Sequence, residues 1–258
     1  MTTYNAPEQQ YEKESTGQVK AVVIPYAGVF FYLALGMVIV AALGFFWPNL
    51  LNAMAGNDAD SFYIGDIVST VISALGVLIL SFVLSIKAFS KKTLSMLIFF
   101  LLDAVFWGVL FSSIVSFAVA YEAIVNHDFT GGYGIVGMAF AIVAGVMLLT
   151  GIIGFVFKNS WKLATFIGIG LLGVLALALV NIFLFDNLIA WIIDMLLLLI
   201  IVIETIVDMN RIKRMAQGGW LAGNNNLTIF CAYTLMSDYV MLLIRIIPYL
   251  LLFSNRRK

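Results

Sequence analysis

Seven long apolar runs follow one another along the chain, separated by short polar stretches. Within each run apolar residues are nearly continuous and do not alternate with polar ones. That pattern fits helices set in hydrocarbon, not the shorter alternating strands of a membrane barrel. The runs lie near Val22–Trp47, Ile67–Ala88, Leu94–Tyr121, Ile135–Phe157, Leu163–Phe185, Leu188–Val207 and Leu227–Phe253. About 20 such residues cover a hydrocarbon core of about 30 Å at the rise of an α-helix, so every run is long enough to cross a bilayer. The pattern predicts an all-α membrane protein with a flexible cytoplasmic tail over 1–21, seven transmembrane helices within 22–253 and a basic C-terminal end over 254–258.

The polar positions between the runs orient them. Lys13, Lys20, Lys87, Lys91, Lys92, Lys158, Lys162, Arg211, Lys213 and Arg214 all fall in the tail and in the second, fourth and sixth connections. The alternate connections hold Asp58, Asp60, Glu122, His127, Asp128 and Asp186, with no Lys or Arg. The positive-inside rule then makes the N-terminus cytoplasmic. Seven crossings leave Arg256, Arg257 and Lys258 outside, against that rule, so the last segment either spans despite its basic end or re-enters; its length favours spanning.

Composition agrees: 63% of residues are hydrophobic and 11% charged, against about 25% charged in an ordinary soluble domain. The tail, with Glu8, Glu12 and Glu14, lacks the basic start of a signal peptide, so the first run is read as a spanning helix. The single cysteine, Cys231, excludes an internal disulfide and reads as packing. No Gly-rich phosphate loop, HExxH or GxSxG occurs, which predicts no enzyme and no cofactor, and nothing points to nucleic acid. Gly28, Gly36 and Gly44 on the first run, and Gly134, Gly137, Ala141 and Gly145 on the fourth, read as close helix packing. Asn226-Leu227-Thr228 matches a glycosylation acceptor but is read as the entry to the last helix.

Acids inside the apolar runs are the candidate chemistry. A carboxylate at mid-bilayer costs roughly 2.5 to 3.5 kcal/mol on insertion scales, so it needs a partner or a function. Glu204 and Asp208 stand one turn apart at the end of the sixth run, Asp194 returns near the same stripe, Asp238 lies in the seventh run, and Asp103 in the third. Asp208 and Asp238 are the candidate pH sensor and gate; Glu204, Asp194, Asp103 and Arg245 are tuning or ion-pathway positions. Arg245, seven residues beyond Asp238, is placed to neutralise Asp238 or another acid. Two carboxyl groups that meet in a dry site share one proton and act as a latch; deprotonated, they suit a hard cation. Two or three carboxylates fall short of a tight calcium site and fit weak, transient binding at Asp208 and Asp238. Counted from the cytoplasmic loop, Asp238 lies about 16 Å deep and Asp208 shallower. Contact between them requires the sixth helix to reach further in, or the last to begin outside the bilayer plane.

At these residues the chain resembles the Bax-inhibitor family of transmembrane proteins, which includes bacterial calcium-leak members. The sixth run ends in Val207-Asp208-Met209-Asn210-Arg211-Ile212-Lys213-Arg214, similar to the family's Asp followed by polar and basic residues. The seventh carries Tyr233-Thr234-Leu235-Met236-Ser237-Asp238-Tyr239-Val240-Met241-Leu242-Leu243, similar to its second Asp motif. Gly108–Ile114 and Ala178–Phe183 are similar as well. Met241 stands where the family often has Asn, and Asp103 lies in an otherwise apolar segment.

The resemblance implies seven helices with the last one central in a bundle of six. It also implies a pH-sensitive calcium leak gated by Asp208 and Asp238, with a bacterial cell membrane the expected location. The partners expected are the lipid bilayer, calcium, protons and a membrane protein. A regulatory interaction protein and a proton-coupled secondary transporter are the alternatives, the latter without the paired, interrupted helices of an inverted repeat.

Overall fold

The computed structural model describes residues 26–56, 58–90, 92–127, 130–157, 161–184 and 187–255. These form seven helices: α1 Tyr26–Met54, α2 Ala59–Lys87, α3 Thr93–Asn126, α4 Gly131–Val156, α5 Trp161–Leu184, α6 Asn187–Gln217 and α7 Asn225–Asn255. Each is long and apolar enough to cross a membrane, and the protein is a multi-pass membrane protein. The predicted tail, Lys91, Asp128, Lys158, Asp186 and the basic residues 256–258 lie outside the described residues. Helix α7 runs unbroken through Pro248, so the re-entrant alternative has no turn at which to reverse.

Helix α7 packs on α1, α3, α4 and α6 and more lightly on α2. Leu235, Met236, Val240, Leu242, Leu243 and Ile247 are all 0% exposed. The expected central position of the last helix is therefore observed. It is shared with α3, which packs on α1, α2, α4 and α7, while α5 sits outside, packed principally on α6.

Helices α1 and α7 run in parallel, and the α1 glycines mark their contact. A Cβ at Gly28 would lie 2.9 Å from Thr228, one at Gly36 2.5 Å from Met236, and one at Gly44 2.4 Å from Phe111 of α3. Equal steps of eight residues on both helices keep this seam in register. The second predicted stripe is corrected: nothing lies within 4 Å of a Cβ at Gly134, Gly137 or Gly145. Helix α4 instead approaches its neighbours at Gly132, against the Val119 backbone, and at Gly154, against Met209 and the Ile206 carbonyl. Spacing shows which residues share a face; only packing shows which face turns inward.

Several helices outrun their apolar stretches, because a helix closes its own hydrogen bonds wherever they lie, whereas hydropathy ends at the first polar turn. Helix α2 starts at Ala59, and Asp58 caps it by accepting from the Ser61 N–H at 3.0 Å. The Ser61 hydroxyl and amide hold the Asp58 carboxyl below its ordinary range. Helix α3 continues to Asn126, which places Glu122, 3% exposed, inside it and not in a loop; exposed His127 follows with φ 53°. Helix α6 continues ten residues past Val207 to Gln217 and stops where Gly219 takes φ 73°.

Candidate functional site: buried acids between three helices

The long α6 resolves the depth mismatch. Helices α6 and α7 are antiparallel across a short connection; Asp208 stands nine residues before Gln217, and Thr234 nine residues after Asn225. These two therefore face each other, with the Thr234 hydroxyl close to the Asp208 carboxyl without closing a bond to it. One turn further along, about 6 Å, the Asp238 carboxyl meets Thr205 in the same way. Each acid is thus set against a threonine of the opposite helix, and the two carboxyl groups, in electrostatic reach of each other and of Glu204, are staggered by one turn. Asp238 is 5% exposed, and its Oδ2 is buried with no hydrogen-bond partner.

The threonines add a feature that a reading of the acids alone passes over. Thr205 Oγ1 donates to the Ile201 carbonyl at 2.9 Å and Thr234 Oγ1 to the Cys231 carbonyl at 3.0 Å. A hydroxyl has one proton to give and two lone pairs. While bonded to its own helix, each threonine accepts from a neutral carboxyl; to serve an ionised one it must rotate and release the backbone carbonyl. Helical spacing was the available signal, since Thr205 precedes Asp208 by three residues and Thr234 precedes Asp238 by four.

Tyr233 joins a third acid to this pair. Its hydroxyl lies within hydrogen-bonding reach of Ser81 on α2 and within electrostatic reach of Asp103, Asp238 and Asp208. Asp103 is 0% exposed and neither carboxyl oxygen has a hydrogen-bond partner. The Trp107 indole N–H, one turn along α3, lies close to it without closing a bond.

The remaining candidates separate. Arg245 is paired with Asp194 across α7 and α6, with side chains 29% and 55% exposed. Its partner is therefore Asp194 and not Asp238. Asp194 is ten residues from Glu204, about 15 Å along the helix, so the acidic stripe of α6 divides into an exposed ion pair and the buried site. Met241 is turned outward, 38% exposed. Cys231 is buried and free. Among the described residues, no group of three or more His, Cys, Asp or Glu is arranged to hold a metal ion.

Residues following Asp208 anchor it. Asn210 Nδ2 donates to the Gly154 and Phe157 carbonyls at 2.9 and 2.6 Å, and Lys213 Nζ to the Phe155 carbonyl at 2.6 Å. They satisfy the open carbonyls at the negative end of α4. At the same end of the bundle Asn226, 2% exposed, donates to the Ser90 carbonyl at 2.5 Å, as befits a helix entry and not a glycan acceptor.

Seven membrane-spanning helices that bury the carboxyl groups of Asp103 on α3 and Asp238 on α7, with Asp208 of α6 half-buried beside them, define a polytopic membrane protein with an intramembrane acidic site. Residues 23–256 match the family described as Inhibitor of apoptosis-promoting Bax1, and the chain belongs to that Bax-inhibitor family. No curated protein matches it in sequence.

Proposed function

We propose that the protein is a pH-sensitive cation leak, with calcium as the conducted ion and Asp208 and Asp238 as its gate. The observation that carries this reading is the staggered pair of acids, each opposed by a threonine hydroxyl of the other helix. With protons bound, the carboxyl groups donate to the threonines, and α6 and α7 are held together. With protons lost, two like charges lie within reach of each other in a site of low dielectric, and repulsion favours separation of the helices. Carboxylate and hydroxyl oxygens then offer a hard cation a few ligands, too few to trap calcium and enough to pass it.

The basic connections gather at the end of the bundle where Asn210 and Asn226 cap α4 and α2. By the positive-inside rule that end is cytoplasmic, with the N-terminus on the same side. The membrane proposed is that of a bacterial cell.

Calcium flux into liposomes containing the purified protein tests the reading. Flux is expected to depend on pH in the wild type and to lose that dependence in the Asp208→Asn/Asp238→Asn variant. Equal flux from both proteins at mildly acidic and mildly alkaline pH overturns it.

A further inference from the structure

Asp103 is the least compensated charge-bearing group in the bundle core. It is fully buried, and both of its oxygens lack a hydrogen-bond partner. Among the described residues, no cation faces it from any helix packed on α3. Helices α1 and α4 contain no Asp, Glu, Lys or Arg. From α2 the facing group is Ser81, next to Tyr233; Lys87 is turned to Ser95 at 2.8 Å and to the Phe99 ring, and Asp66 accepts from Ser113 at the far end. From α7 come Tyr233 and Asp238, while Arg245 is held by Asp194; beyond them on α6 are Glu204 and Asp208, the latter within the field of Arg211 one turn further on. On α3 itself the next acid, Glu122, is about 28 Å away along the axis. A bare carboxylate so enclosed is strongly disfavoured, whereas a neutral carboxyl is not.

We propose that Asp103 is a third proton-binding acid of the buried site, neutral in this conformation and coupled to Asp238 and Asp208 through the space they share around Tyr233. The link rests on the reading of Asp208 and Asp238 as a proton-sensitive pair; the assignment of Asp103 itself does not. Tyr233 has one O–H proton and three acids within its field. When the pair is charged, that proton is drawn toward it; when the pair is neutral, it is free to turn to Asp103. For charge to be conserved, a calcium ion entering the site would displace two protons, one from Asp103 and one from the Asp208 and Asp238 pair.

Infrared difference spectroscopy on the full-length protein in lipid nanodiscs, titrated with pH, reads protonated carboxyl groups directly. Asp103→Asn is expected to remove one protonated-carboxyl band that persists in Asp208→Asn/Asp238→Asn, and Asp103→Glu to restore a band at a shifted frequency. Tyr233→Phe is expected to keep the Asp103 band and abolish its shift as the pair titrates. A spectrum of Asp103→Asn that superimposes on the wild type overturns the assignment, and an unchanged shift in Tyr233→Phe overturns the link. Should the pair variant titrate like the wild type while the Asp103 band remains, the reading of the pair fails and that of Asp103 stands. Carboxyl-labelled aspartate in the wild type keeps the measurement available if a variant fails to fold.

Discussion

The guanidinium of Arg245 is paired with Asp194 on α6, which leaves Asp238, seven residues earlier on α7, facing acids and hydroxyls. Two acids on α6 thereby acquire different chemistry. Asp194 is an exposed partner of a cation; Glu204 is a neighbour of the buried pair.

Because that ion pair is partly exposed, its contribution is expected to be below about 1 kcal/mol. Arg245→Ala and Asp194→Ala, alone and together, are expected to show a small coupling in a thermal-unfolding cycle. The pH response of flux should stay as in the wild type, whereas a response lost in Arg245→Ala would return Arg245 to the gate.

Thr205→Val and Thr234→Val remove hydroxyls while keeping shape. One hydrogen bond contributes about 0.5 to 1.5 kcal/mol, so the pH midpoint of flux is expected to move by about one unit or less in either variant, with the fold retained. A midpoint unchanged in the double variant would detach the threonines from proton sensing.

The α1 seam and the α4 stripe respond oppositely to added bulk. Gly44→Ala drives a Cβ to within 2.4 Å of the Phe111 ring, and overpacking of that kind costs about 1 to 3 kcal/mol. Gly137→Ala meets nothing within 4 Å and is expected to leave thermal stability unchanged or slightly raised. The difference in unfolding temperature between the two variants checks the assignment of faces.

At the opposite end from the basic connections, Asp58 gives α2 a pH-dependent start. Its folded carboxyl titrates below its ordinary value because Ser61 bonds the charged form. The cap is therefore fully effective above the unfolded carboxylate range and is lost as pH falls through the lowered folded value. Hydrogen exchange at the Ser61 amide is expected to quicken, relative to its intrinsic rate, only at acid pH. In Asp58→Ala the amide should exchange fast throughout.

The run of apolar residues by itself determined the seven helices. Hydrocarbon leaves a spanning segment no way to satisfy its backbone except within itself. The same reasoning singled out Asp208 and Asp238, since a carboxylate there stands out against any apolar background. It also reached Glu204, one turn from Asp208, and Asp103. What the linear pattern did not carry was the inward face of each helix and the register between helices. Gly134, Gly137 and Gly145 share a face as read, and that face is empty. Arg245 lies on the right helix for Asp238 and is taken by Asp194. Helix α6 runs on through Asp208-Met209-Asn210-Arg211-Ile212-Lys213 because its polar turns find partners at the end of α4. That continuation sets Asp208 opposite Thr234 and Asp238 opposite Thr205. Helix formation is local and written in composition; the stagger of the acids and the complete burial of Asp103 depend on how finished helices pack, which only the tertiary structure decides.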